Sequence, residues 1–307
     1  MFSNHIGEFA ALLTAIFWTA TALAFESASK KVGSLSVNLI RLCLALVFLS
    51  IYSIITRRIV LPFDAGTHQW IWLSLSGLVG FVIGDYFLFK SYEVISARIS
   101  MLIMALAPPI AALIGWLTLG ESLDLKQGFG MILTFAGIAL VILKREKNLD
   151  DDVNETNQRK VKINYPISGL LFALGGAIGQ AGGLVLSKIG MKGYDVVASV
   201  QIRVITGIIG FVGMFFVLNR WESLKIALKD KIALSRISVG AIFGPFLGVS
   251  FSLLAVKYTS TGVASAIMSI VPVLIIAPAI IIFKEKFNSK ELIGAVITVG
   301  GVFLFFL

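Results

Sequence analysis

Ten runs of predominantly apolar residues, near 8–29, 36–56, 70–92, 97–119, 127–143, 165–187, 194–218, 236–256, 262–283 and 290–307, decide most of what this chain can fold into. Crossing a hydrocarbon core as a helix takes about 20 residues, and each run is close to that length. The runs are continuous and lack the period-two alternation of a barrel strand, so they predict helices. Only 14% of the 307 residues are charged against 57% apolar, too little charge to solvate a globule of this size. The chain is therefore expected to be an all-α polytopic membrane protein, with the lipid bilayer as its first partner.

The leading "MFSNHIGE" has no cationic stretch before the first span, which is expected to stay in the mature protein. Cys43 lies inside the second span, and His5 and His68 lie outside the spans. No disulfide, Cys/His catalysis, metal site or cofactor is expected from such a set. A net charge of +9 could suggest nucleic acid in a soluble protein. Here the basic residues are strung through short connections, where lipid head groups and topology account for them, so no nucleic-acid partner is expected.

Residues 84–143 and 248–307 align without a gap at an offset of 164, with thirteen identities. Apolar composition alone would match Leu, Ile and Val, but here Gly84/Gly248, Met104/Met268, Pro108/Pro272, Glu121/Glu285, Lys126/Lys290, Gly130/Gly294 and Gly137/Gly301 fall in register. At an offset of 162, "VNLIRLCLAL" pairs with "SVQIRVITGI" and sets Arg41 opposite Arg203. The repeating unit is then five spans long. An odd number of crossings leaves the chain on the far side, so the second copy must be inverted. The division is 1–147 for the first unit, 148–164 for a charged linker with both signs and no apolar run, and 165–307 for the second. The sequon at Asn154 within the linker is too short a pattern to weigh.

Pro108 and Pro272 fall at the middle of the fourth and ninth spans. A proline inside a helix removes a hydrogen bond and costs roughly 3 kcal/mol. Transporters built from inverted repeats place broken helices and substrate at the midplane. The carbonyls freed upstream, on Met104, Ala105 and Met268, are tolerable facing a polar cavity and costly facing lipid. Met104, Pro108, Met268 and Pro272 are accordingly candidate cavity residues.

The stretch "GDYFLFKSYEVISARISMLIMALAPPIAALIGWLTLGESLDLKQGFGMILTFAGIALVIL" resembles the repeat unit of the EamA-type transporters of the drug/metabolite transporter superfamily. The features shared are the turn and small-residue helix start "ISARIS", the midspan proline, the closing "LGE" and the last span "LTFAGIAL". The second copy, "TSTGVASAIMSIVPVLIIAPAIIIFKEKFNSKELIGAVITVGGVFLFFL", is similar, with "KE" for "GE". The resemblance implies ten helices in two inverted five-helix halves, a central cavity, and export or exchange of small metabolites by alternating access. Amino acids are one substrate class it implies; drugs, nucleosides and sugar phosphates are others.

Ionisable groups deep in a membrane are functional candidates by default. At about 1.5 Å of rise per residue, Asp85 lies about 4 Å, Arg203 about 6 Å and Arg41 about 7 Å from the centres of their spans, with Glu26 and Lys90 about 10 Å out. Glu26 ends the first span and Arg41 begins the second, so they form a candidate ion pair. Lys90 has a stem long enough to snorkel. Asp85 needs a partner or water to stay ionised, which makes it a candidate proton carrier. Tyr86 follows it in the same motif. Trp18 and Gln180 are repeat equivalents in the first and sixth spans, and an aromatic wall facing an amide suits an amphipathic organic solute. Gly175, Gly179 and Gly183 form a ladder that permits close helix contact. Arg41 and Arg203, equivalent in oppositely oriented halves, are expected toward opposite faces as gate residues.

Two other classes compete. "IGDYF" around Asp85 and "GYD" at Asp195 bear a poor likeness to the aspartates of intramembrane proteases, since Val82 replaces a glycine and the two motifs come in reverse order. A membrane scaffold is the other. Basic residues concentrate on the side holding 30–31, 98 and the linker, which puts the termini outside. The resemblance implies termini in the cytoplasm, which Arg57 and Arg58 favour. The expectation is an inner-membrane transporter of small organic metabolites, not an enzyme, with protons as a possible coupling ion; efflux of drugs or nucleosides is the alternative.

Overall fold

The computed structural model describes residues 5–119, 124–146, 160–258, 267–284 and 288–306. Glu121, Glu285, Asn154 and most of the linker lie outside the described residues. Helix α1 spans Ile6–Val32, α2 Ser34–Arg57, α3 Thr67–Val94, α4 Ala97–Thr118 and α5 Leu125–Ile142. After a ribbon of β1 (Leu143–Glu146) and β2 (Lys160–Ile163) come α6 (Ile167–Gly190) and α7 (Val196–Leu218). The remainder is α8 (Trp221–Lys229), α9 (residues 231–258), α10 (Val271–Phe283) and α11 (Ser289–Phe306).

Eight helices among the described residues are long and apolar enough to cross a membrane, α10 being a shorter apolar one. The protein is thus a nearly all-helical, multi-pass membrane protein. Two expectations change. The end of the first unit and the end of the charged linker pair as an antiparallel ribbon, Leu143 opposite Ile163 and Glu146 opposite Lys160, because backbone groups leaving α5 need partners once the helix stops. Residues 219–235, between the expected spans 194–218 and 236–256, contain a further helix, α8, whose Trp221 packs edge-on against Phe216 at 4.9 Å.

Local chemistry sets several boundaries. Gly33, at φ 81, makes the tight turn from α1 to α2, where a side chain would be strained. Asp124 and Gln127 form a capping box at the start of α5, with Gln127 N donating to Asp124 Oδ1 at 2.7 Å. Asp195 caps α7 by accepting from Ala198 N at 2.9 Å, and Asp230 caps α9. The outer faces carry large apolar side chains such as Leu117, Phe129 and Val217, the last 85% exposed, as a lipid-facing wall requires.

The helix contacts pair the two halves. Helix α1 packs on α9, α3 on α6, α2 on α7 and α5 on α11. Exchanging the repeats maps this set onto itself, because α1 corresponds to α6 and α3 to α9. Small residues make the contacts close. A Cβ on Gly137 would lie 2.6 Å from Gly294 O, and one on Gly301 would lie 2.7 Å from Gly130 O, so α5 and α11 meet backbone to backbone. The ladder in α6 does the same: a Cβ on Gly183 would lie 2.7 Å from Gly80 Cα of α3.

Two irregularities also repeat. α3 carries a π-helical segment at Leu78–Gly84 and α9 one at Ile242–Gly248. α4 breaks at Ala105 and Leu106, so Pro108 sits in the first turn of the half-helix Ala107–Leu119. α10 begins after a turn at Ser269 and Ile270, with Pro272 again in the first turn. A first-turn N–H has no partner inside its own helix, so the expected loss of a mid-helix bond is avoided by ending one helix and starting another.

Candidate functional site

The π segment of α3 delivers Asp85 to the packed junction of α2, α3 and α6. Asp85 is 5% exposed. Its Oδ2 accepts from the Arg41 guanidinium and its Oδ1 from the Gln180 amide. Arg41 Nε donates to Asn38 Oδ1 at 3.0 Å, and Asn38 Nδ2 donates to Ser34 O at 3.1 Å. The carboxylate thus joins three helices and both halves of the protein. Burying such a pair is tolerable because both oxygens and the guanidinium are hydrogen-bonded. Gln180 reaches in because α6 lies so close: a Cβ on Gly84 would be 3.1 Å from Gln180 N.

Arginine and aromatic rings complete the cluster. The Arg41 guanidinium lies 4.8 Å from the Phe89 ring centre and 5.8 Å from that of Phe81. Arg203 of α7 lies over Phe81 at 4.5 Å. Phe81 therefore has a guanidinium near it from each half. Arg203 makes no hydrogen bond among the described residues, and its Nε is buried without a partner.

Several expectations change here. Arg41 pairs with Asp85, and Glu26 pairs with Lys30 of its own helix, in place of a Glu26–Arg41 pair. A helix register of four brings Lys30 to Glu26, while Asp85 lies deeper beside Arg41. Arg41 and Arg203 converge on one ring instead of lying toward opposite faces. Gln180 joins Asp85, whereas its repeat equivalent Trp18 stands against α9, where a Cβ on Gly248 would be 2.7 Å from the indole Nε1. Tyr86 packs with Phe81 and Val249 against the Leu42 and Phe211 cluster. Met104 bridges two apolar clusters, and Met268 packs on Ala10, Ala11 and Ala255. Pro272 is buried and Pro108 half-buried. Lys90 is matched with Glu93 at 2.6 Å. Asp195 caps α7 and lies with Arg57, 3.7 Å away, so Asp85 and Asp195 have different partners. Asn38 escaped the sequence reading, although its spacing of three from Arg41 on α2 was a signal available there. Among the described residues no three His, Cys, Asp or Glu side chains are placed to hold a metal ion.

A cavity of about 580 Å³ lies between α1 and α10, walled by Leu23, Leu274 and Pro278, with Arg236 from α9 also on its lining. None of the candidate cavity residues lines it. Its wall is largely aliphatic, whereas buried charge, the costlier feature, is concentrated at Asp85, so the charged cluster is the candidate site.

Other polar contacts tie the halves nearer the membrane faces. Lys31 pairs with Asp230 at 2.7 Å, and Tyr194 donates to Asp64 at 2.9 Å. Arg98 pairs with Glu291, which also accepts from Tyr165 at 3.0 Å. Lys31 and backbone amides hold the Asp230 carboxyl below its ordinary value, while partial burial and the bond to Asp64 push the Tyr194 phenol up.

Comparison with known proteins bears on the fold and the family. A crystal structure of a protein aligns with a TM-score of 0.61 at 15% identity, over 97% of this chain and 95% of that one, which is a likeness of fold. A probable transport protein of Saccharomyces cerevisiae is 22% identical over 210 residues, 62% of this chain and 56% of the relative. An uncharacterised membrane protein of the same yeast is 22% identical over 191 residues, 60% of this chain and 46% of the relative. An uncharacterised transporter of Haemophilus influenzae is 26% identical over 137 residues, 44% and 45% of the two chains. The chain spans about half the length of the curated relatives it matches. The model of the EamA-like transporter family matches residues 5–143 and 167–307, which is nearly the whole chain in two copies, and the protein belongs to that family.

Proposed function

We propose that the protein is a secondary transporter, an exporter or exchanger of small organic metabolites such as amino acids, working by alternating access between two inverted five-helix halves in a cell membrane. The observation that carries this is the Arg41–Asp85–Gln180 cluster, a buried charged junction whose members come from both halves. A non-transporting scaffold has no need to bury such charge where the halves meet. Protons serve as the coupling ion and Asp85 as their carrier. Protonating it would remove the charge that holds Arg41 and weaken the bond accepted from Gln180, and so loosen α2 and α6 from α3.

The experiment is uptake into proteoliposomes screened against amino acids, nucleosides and cationic drugs, with and without a pH gradient. Gradient-driven accumulation of an amino acid is the expected result, with Asp85→Asn abolishing accumulation while preserving exchange. Flux of nucleosides or drugs alone would favour the efflux reading, and no flux of any solute would remove transport.

A further inference from the structure

We propose that Arg203 recognises an oxyanion, so that the solute carried by this protein bears a carboxylate or phosphate group that docks against the guanidinium beside Phe81. This rests on the transport reading above and adds the class of solute. The charge count at the cluster is uneven: Arg41 and Arg203 give two positive charges and Asp85 one negative, leaving one positive charge over. Both Asp85 oxygens are already occupied, one by Arg41 and the other by Gln180. Glu26, the other buried carboxylate of this region, takes Lys30.

The guanidinium of Arg203 is held but unsatisfied. Its Cζ lies over the Phe81 ring at 4.5 Å, and it passes close to Gly80 of α3, where a Cβ would lie a tight 3.1 Å from Nη2. The ring holds one side of a five-donor fork, and none of the five donors has a hydrogen-bond acceptor among the described residues. A buried charged donor left unpaired is costly, and the geometry that best offsets it is a bidentate oxyanion.

The repeat shows where a protein-borne counter-ion would have come from. Arg41 and Arg203 are equivalent, and the residue equivalent to Asp85 in the second half is Val249. The first half supplies its arginine with a carboxylate and the second supplies valine. An anionic solute would restore the balance on arrival, which gives the loaded site a charge state different from the empty one.

The test uses the full chain purified in detergent and reconstituted in proteoliposomes, with L-glutamate, benzoate, inorganic phosphate and cadaverine, a diamine without a carboxylate, as probes. Glutamate or benzoate is expected to raise the melting temperature where cadaverine does not, and phosphate acting alone would identify a phosphorylated solute. Arg203→Gln should weaken the anion by about thirtyfold or more, as removal of one partner of a buried charge pair does. Arg203→Lys keeps the charge without the fork and should fall between, which guards against a variant that merely misfolds. Stabilisation by cadaverine equal to that by the anions, anion binding that survives Arg203→Gln, or no stabilisation by any anion overturns the proposal. Counterflow of labelled probes separates it from the transport reading. Flux of a solute that is unchanged in Arg203→Gln removes the anion site alone, whereas anion binding without flux removes transport and leaves the anion site standing.

Discussion

Substituting the Arg41–Asp85 pair gives the sharpest test of the site. Both residues are 5% exposed, so neither charge has water to fall back on. Asp85→Asn leaves Arg41 with only Asn38 and the ring faces, and raises the net charge of the cluster from one positive to two. Removing one member of a buried pair typically costs about 3–5 kcal/mol, while replacing both by apolar groups can be nearly neutral. An ordinary hydrogen bond between membrane helices is worth far less, about 0.6 kcal/mol on average in double-mutant cycles. The two accounts therefore differ severalfold. Wild type, Asp85→Asn, Arg41→Met and the double variant should be unfolded by sodium dodecyl sulfate in mixed micelles and followed by tryptophan fluorescence. The singles should each lose about 3 kcal/mol and the double less than their sum by at least about 2 kcal/mol. Additive losses, or singles costing under about 1 kcal/mol, would show that the charges are screened and that the cluster is not the dry junction described.

Other outcomes follow from individual residues. Pro108→Ala and Pro272→Ala should let each broken helix run on through its turn and lower transport while the protein stays inserted; normal transport in both would reduce the breaks to packing. Ser96 links α3 to α4 at φ 80, ψ 155, a region that suits glycine, so Ser96→Gly should raise stability by about 1 kcal/mol, read as a higher melting temperature. Asp230 has a depressed carboxyl pKa, so its contribution is fully present above the ordinary carboxylate value and is lost as pH falls through the lowered folded one. The melting-temperature profiles of wild type and Asp230→Asn should therefore run parallel from pH 7 to 5, and below about pH 4 wild type should show an additional loss of stability that the variant lacks.

Much of the fold was legible because membrane helices announce themselves by length and apolarity, and because glycine and proline kept their register at an offset of 164. The prolines pointed to the breaks in α4 and α10, and the glycines of α6 to its contact with α3. The cluster was only half legible. Depth along a span put Asp85 near the centre and set Arg41 and Arg203 toward opposite faces, but it carries no rotation, and rotation decides which side chains meet. Glu26 looked nearer to Arg41 in sequence, yet Lys30, one helical turn further along α1, took it. The π segments were invisible for a related reason: they shift the rotational register of α3 and α9 without altering hydropathy. α8 was missed because it is short and amphipathic, a pattern that a search for spanning runs passes over.

The paired π segments say something about the ancestry of the two halves. Leu78–Gly84 and Ile242–Gly248 occupy equivalent places, yet beyond Gly80/Gly244 and Gly84/Gly248 their residues have diverged, with Phe81 in one matched by Pro245 in the other. An under-wound turn at the same point in both copies is most simply a trait of the single unit before it was doubled. The π turn has been inherited and the chemistry mounted on it has not, for one copy follows it with a charged Asp85 and the other with Val249. A symmetric scaffold has in this way come to hold a one-sided site, with an acid after the π turn of one half and an aliphatic residue at the same place in its counterpart.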